Sequence, residues 1–466
     1  MLFSSKDELQ GVIKGIAAVT NGAFHLENED KFRNELVDIL VINSVLNDNP
    51  EVKALSRYII RSAAQELGII LSSIQELYEA RGRGENKGYT TPALNIRGMS
   101  YELSRAIFRT AQNTDSGAYL FEIAKSEIGY THQRPHELAP VILAAAIREG
   151  YRGPVFIQGD HFQVNAKNFH QDRDKEISGL KSFIKEAIEA GFYNIDIDTS
   201  TLVTLDPPSV KDQQKLNYEV GVELTKYIRE NEPEEITISV GGEIGEVGKT
   251  NSTEEELRVY MDNFNQRLSD FNPDYKGISK ISIQTGTTHG GVPLPDGSVA
   301  EVNLDFETLG NLSKISREHY GLAGAVQHGA STLPSELFSK FPELETAEIH
   351  LATDFQNIIY DSKHFPADFK NEIYAYLRKE FANEKKDGWT DEQFIYKTRK
   401  KGFGNRYKPR FWNLPDEVKS AIGNELEGKL MFLFDKLKAG NTHQFINRSI
   451  HPKAVPVKLE SELKFS

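Results

Sequence analysis

The sequence predicts an α/β protein, a (β/α)8 TIM barrel with helical extensions at both ends. Three observations carry that expectation. Between residues 89 and 360, short apolar runs alternate with helical stretches, as in repeated βα units around a parallel sheet. There are eight such runs, the number that closes a barrel, and polar side chains gather where they end, the face on which barrel enzymes carry their chemistry. The chain has 466 residues, whereas a barrel of this type needs about 250, so extensions are expected.

Taken in order, residues 1–88 form an N-terminal helical extension. Leu36, Ile39, Leu40, Ile42, Val45 and Leu46, then Ile59, Ile60, Ala63, Ala64 and Leu67, recur at helical spacing. Ala80-Arg-Gly-Arg-Gly-Glu-Asn-Lys-Gly88 mixes glycine with charge and reads as a linker or loop. The barrel is assigned to residues 89–370. Its strands are expected at Ala93–Ile96, Tyr119–Ala124, Val155–Gln158, Asn194–Ile197, Ile236–Val240, Ile278–Ile283, Ala323–Gln327 and Ala347–Leu351. The clearest intervening helix carries Ile177, Leu180, Ile184, Ala187 and Ile188 and stops at Gly191. Residues 371–466 read as a C-terminal helical extension.

Composition narrows the chemistry. Apolar residues at 39% and charged residues at 26% match an ordinary globular chain. Zero cysteines exclude disulfides, thiol nucleophiles and thiolate metal sites, which leaves imidazole and carboxylate as metal ligands. A net charge of −13 without a large basic cluster disfavours nucleic acid, and an anionic substrate would need local basic groups acting against the global field. No apolar stretch is long enough to span a bilayer and the first residues do not resemble a signal peptide, so a cytoplasmic location is expected.

His161, His289 and His328 each follow a predicted strand, and three histidines with an open fourth position suit a catalytic rather than a structural Zn²⁺. Any one of them alone reads equally as a satisfied core or loop histidine. Asp160 can act as proton donor and acceptor or can support a neighbouring metal-bound histidine. Glu243, within Gly241-Gly-Glu-Ile-Gly-Glu-Val-Gly248, sits on a glycine-bearing segment able to move over a site, or else on solvated surface. Ser331 with its neighbouring glycines suits a phosphate cradle.

With these residues in place the chain resembles the class II, metal-dependent fructose-bisphosphate aldolases along the whole barrel. Pro92-Ala-Leu-Asn95-Ile-Arg-Gly98 resembles the first-strand motif and Lys125-Ser126-Glu127 the second-strand serine motif. Gly159-Asp160-His161, Gly286-Thr-Thr-His289-Gly290 and His328-Gly-Ala-Ser331 resemble the three histidine elements. Asn405-Arg-Tyr-Lys-Pro409-Arg410-Phe-Trp412 resembles a stretch whose arginine reaches a substrate phosphate across a dimer interface. The resemblance implies Zn²⁺ on His161, His289 and His328 with Glu243 near the metal, and Asp160 as the proton shuttle. It implies substrate contacts from Asn95, Ser126, Gly290, Gly329, Ser331, Thr353 and Arg410, a monovalent cation near the phosphate, a homodimer, and cleavage of a phosphorylated sugar in glycolysis or gluconeogenesis.

Departures keep other readings open. The family's eighth-strand Asn-hydrophobic-Asp-Thr-Asp stands here as His350-Leu-Ala352-Thr353-Asp354. Thr250 and Asn251 fall where the family carries a mobile-loop glutamate, so Glu246 or Glu254 would have to substitute. The lysine usual after the strand-six histidine gives way to Pro293-Leu-Pro295. The alternatives are an epimerase or an aldolase for another ketose, such as tagatose bisphosphate or a sugar acid, and a non-catalytic partner subunit.

Overall fold

The computed structural model describes residues 1–20, 22–245, 250–286, 293–294 and 304–466. Eight parallel strands close into the barrel: β1 (Thr91–Asn95), β2 (Leu120–Ala124), β3 (Ile157–Gln163), β4 (Asn194–Asp198), β5 (Ser239–Glu243), β6 (Lys280–Ile283), β7 (Ala325–Gln327) and β8 (Glu348–Leu351). Each pairs with the next in sequence. Leu94 lies against Leu351 where β8 returns to β1. Helices fill the crossovers. The helix Arg173–Ala190 is the one expected from its apolar stripe: Asp172 caps it by accepting from the Lys175 N–H, and Gly191 ends it at φ 96°.

The third strand departs furthest from expectation, while the fifth, expected at Ile236–Val240, is shifted to Ser239–Glu243. Val155 belongs to a short strand outside the barrel, Gly153–Val155, which pairs in parallel with Ile69–Leu71 from the N-terminal region. Barrel strand β3 starts later and runs through Asp160 and His161 to Gln163. It does so by a bulge against β4: Gly159 pairs with Ile195 and Phe162 with Ile197, so β3 carries one more residue than its neighbour. Within the bulge His161 takes φ 42°, a left-handed value costly for a side chain with a Cβ. Gly159 makes the turn feasible, since a Cβ there would stand 2.3 Å from the Phe162 ring. In β5, Gly241 has a similar task; a Cβ would sit 2.2 Å from Asp196 Oδ1.

The regions before and after the barrel are mainly helical and cover it. A hairpin, Ala17–Thr20 with Ala23–Leu26, is an element that helical spacing did not reveal. Helices Val37–Leu46 and Pro50–Glu66 pack on the barrel helix Pro135–Glu149, and the long helix Asp416–Lys436 packs on Ser100–Asn113. Residues 455–465 return to the N-terminal layer, where Arg61 pairs with Glu462 at 2.6 Å and Arg57 donates to the Phe465 carbonyl at 2.9 Å. Among the described residues no helix is long and apolar enough to cross a membrane.

Candidate active site

At the carboxyl ends of the strands lies a cavity of about 570 Å³. Asn95, Ser126, Asp160, His161, His328, Gly329, Ser331 and Thr353 all line it, so most of the residues singled out in the sequence are brought together. His289 and Gly290 lie outside the described residues.

The β3 bulge aims His161 at two carboxylates, with Nδ1 3.3 Å from Asp198 and 3.4 Å from Glu243. Its Nε2 is 3.9 Å from Asp160. Across the cavity His328, at the end of β7, is oriented by Ser282: Nδ1 lies 2.8 Å from the hydroxyl, which turns Nε2 to within 3.4 Å of Asp160. The two imidazoles stack with centroids 4.4 Å apart. Glu243 is the last residue of β5 rather than part of a loop, and it reaches the cluster from the strand end.

Burial opposes charge on all these groups, and their neighbours decide the outcome. For His161 burial is outweighed by Asp160 and Glu243, which hold its pKa well above the usual value. Burial, reinforced by the charges on His350 and His161, keeps His328 well below it. Asp160 resists burial because His161 and His350 face it, and it stays well below the carboxylate range. Glu243 is pushed up to about 7 by burial, with the charge of Asp198 adding.

The donor set fits a metal ion. Donor atoms of Asp160, His161 and His328 all lie within 4.8 Å of one another, as do those of His161, Asp198 and Glu243. Imidazole and carboxylate in this number suit zinc and related divalent ions. Several of the spacings, from 3.3 to 3.9 Å, exceed those of strong hydrogen bonds, which leaves the lone pairs of these atoms poorly engaged with each other.

The remaining residues frame the cavity. Ser331 Oγ accepts the Ala352 N–H at 2.9 Å and ties the β7 loop to the end of β8. Asn95 accepts from Arg97 at 2.9 Å through its side-chain oxygen. Arg410 does not line this cavity among the described residues; it pairs with Glu372 and covers the Phe369 ring at 4.0 Å. Glu254 opens the helix Glu254–Phe271 and pairs with Arg258 at 2.8 Å on the surface. Asn251 donates to Asp305 at 2.9 Å, and Glu246 lies outside the described residues.

Sequence reading gave no role to His350 and Glu122. His350 lines the cavity with Nδ1 2.8 Å from Glu122 and 3.4 Å from Asp160, its ring 4.1 Å from that of His328. Its Nε2 bonds Glu348 at 2.7 Å, and Glu348 in turn takes Lys280 at 2.5 Å and Gln158 at 2.7 Å. Lys280 also pairs with Asp196 at 3.0 Å, which forms a buried ionic floor beneath the site. A signal was present: Glu122 is the one charged residue of Leu-Phe-Glu-Ile-Ala, and Glu348 and His350 alternate on β8 with apolar neighbours.

A closed parallel barrel with a histidine–carboxylate cluster at its carboxyl-terminal mouth defines a (β/α)8 protein with a candidate metal site. The family model for class II fructose-bisphosphate aldolases matches residues 76–414, and the chain belongs to that family. Among solved structures, a fructuronate-tagaturonate epimerase from Cohnella laeviribosi superposes with a TM-score of 0.55 at 12% identity, covering 83% of this chain and 86% of its own. A fructose-bisphosphate aldolase from Campylobacter jejuni gives 0.47 at 18% identity, covering 80% and 96%. At 12% identity the likeness to the epimerase speaks for the fold alone. A search of curated proteins found no match.

Proposed function

We propose that the chain is a zinc-dependent ketose-bisphosphate aldolase that reversibly cleaves fructose 1,6-bisphosphate to dihydroxyacetone phosphate and glyceraldehyde 3-phosphate. The observation that carries the reading is the convergence of Asp160, His161 and His328 on one cavity at the barrel mouth. His161 and His328 would hold the ion together with His289, which the sequence adds, and Glu243 stands beside them. A bound zinc supplies Lewis-acid polarisation of the ketose carbonyl and stabilises the negative charge that cleavage leaves there.

Asp160 takes the proton from the hydroxyl of the carbon that becomes the aldehyde. Its depressed pKa keeps it ionised before substrate arrives, and His350 and His328 fix its position from two sides. Asn95 and Thr353 face the same cavity and hydrogen-bond the sugar chain; Ser331, with Gly329 at φ 70°, offers a hydroxyl and backbone N–H groups to a phosphate. The homodimer implied by Arg410 belongs to the same reading.

The test is triose-phosphate release from fructose 1,6-bisphosphate by zinc-loaded protein, chelated protein and His161→Ala. Release that requires zinc and is lost in the variant supports the reading; no release from fully metallated protein overturns it. A second reading, epimerisation of a ketose or sugar acid, draws support from His350 and Glu122, an additional imidazole–carboxylate pair at the cavity where the family carries an amide. An epimerase interconverts two ketoses and liberates no triose, so product analysis separates the two.

A further inference from the structure

The cavity lies at the carboxyl ends of the strands, and the segment that precedes β1 is bound to the opposite end of the barrel. Ile74 donates its N–H to the Asn194 side chain at the start of β4 at 2.9 Å, and Ser73 Oγ accepts the Ser239 N–H at the start of β5 at 3.0 Å. The helix Gln75–Gly82 follows at once. From this helix Tyr78, fully buried, donates its hydroxyl proton to Oε2 of Glu348, the first residue of β8. Burial and the charge of Glu348 hold the hydroxyl pKa well above its usual value, so the group stays a donor.

The two oxygens of Glu348 are loaded unequally. Oε1 faces three groups, Lys280 Nζ at 2.5 Å, Gln158 Nε2 at 2.7 Å and His350 Nε2 at 2.7 Å, whereas Oε2 meets Tyr78 alone among the described residues. A carboxylate oxygen offers about two lone pairs, so three partners on Oε1 are crowded, and a carboxylate free to turn would present both oxygens to them. The Tyr78 hydroxyl opposes that turn from the other side. What the crowded arrangement secures is the place of His350. Its ring stands between Glu348 on one side and, on the other, Glu122 at 2.8 Å and Asp160 at 3.4 Å from Nδ1. Glu348 and His350 thus connect a hydroxyl bound at the far end of the barrel to the carboxylate at its mouth.

We propose that Tyr78 is a positioning residue for the reaction: it fixes the Glu348 carboxylate, which sets the His350 ring and, through it, the place of Asp160 beside the reacting hydroxyl. The proposal rests on the reading of Asp160 as the group that takes the proton. It gives the segment before the barrel a part in the chemistry, although Tyr78 touches neither substrate nor metal ligands. Lys280 and Gln158 hold the same carboxylate by charge and by an amide; the hydroxyl adds direction.

Tyr78→Phe tests this, since it keeps the ring and removes the hydroxyl alone. In zinc-loaded full-length protein it lowers kcat about fivefold, the rate equivalent of about one hydrogen bond, while KM and zinc content are unchanged. In a His350→Asn background the same substitution lowers kcat no further, because the column is already cut, yet it still lowers the melting temperature. Proton–nitrogen spectra of histidine-labelled protein show the His350 ring signal, identified by its absence from His350→Asn, moved in Tyr78→Phe. Tyr89→Phe is the control: this buried tyrosine donates to Asn86 at 2.8 Å, and its loss costs stability but leaves kcat and the His350 signal as they were. Equal losses of kcat from Tyr78→Phe in both backgrounds overturn the proposal, as does an unmoved His350 signal. A moved signal in a protein that releases no triose sinks the aldolase reading and keeps the hold of Tyr78 on His350. Triose release with kcat unchanged in Tyr78→Phe keeps the aldolase and removes the positioning role.

Discussion

His161 and His350 both face Asp160, yet they are built in opposite ways. His161 stands in a bulge with a left-handed backbone, its side chain 17% exposed, and meets three carboxylates at 3.3 to 3.9 Å. His350 lies on regular β8, 4% exposed, wedged between Glu122 at 2.8 Å and Glu348 at 2.7 Å, with Lys280 locking the far side. Spacious geometry around a strained residue suits atoms that gather on an ion. Close contacts around an unstrained residue suit a side chain whose work is to hold its neighbours.

The largest expected effect comes from the loose side of this comparison. His161→Ala lowers kcat/KM at least about a thousandfold, since several kcal/mol of charge stabilisation leave with the ion; metal analysis of the purified variant shows loss of zinc with the fold retained by circular dichroism. Retained stoichiometric zinc would overturn the assignment. Lys280→Met, on the tight side, strands Glu348 and Asp196 as buried charges and lowers stability by about 3–5 kcal/mol in a urea titration, with metal content unchanged in whatever remains folded.

His350→Asn restores the amide of the family pattern and sharpens the distinction. It reduces kcat about tenfold through looser positioning of Asp160 while zinc content stays full; loss of metal would place His350 among the ligands instead. Glu243→Gln acts through pH. The folded protein holds the Glu243 proton up to about 7 whereas the unfolded chain releases it in the ordinary carboxylate range, so its contribution is present at low pH and lost as pH rises toward 7. Denaturation of chelated protein therefore shows a shallower loss of stability across that window in the variant, by about 3 kcal/mol. Glu254→Gln is the smallest change: steady-state assays give kcat within about a factor of two, because an exposed helix pair contributes little. A large drop would return Glu254 to the chemistry.

Much of the barrel could be read from the sequence because a buried parallel strand is a short apolar run and the crossovers supply turns between runs. The β3 boundary is not legible in the sequence because a bulge is set by pairing with β4 and by the Phe162 ring over Gly159, neither of which leaves a local pattern. Asp160, His161 and His328 were legible as polar residues at strand ends. His350 reads from the sequence as a polar residue at the end of the eighth strand and a departure from a motif; its partnership with Glu122 and Glu348 requires β8 to close on β1 beside β2, a fact of topology.

The return of residues 455–465 to the first layer bears on how the molecule is made. Gln65 donates to the Val455 carbonyl across 390 residues, and Arg61 reaches Glu462 across 401. A ribosome has to deliver the whole barrel before the helix Pro50–Glu66 meets these partners, so a segment made before the barrel is completed only after it.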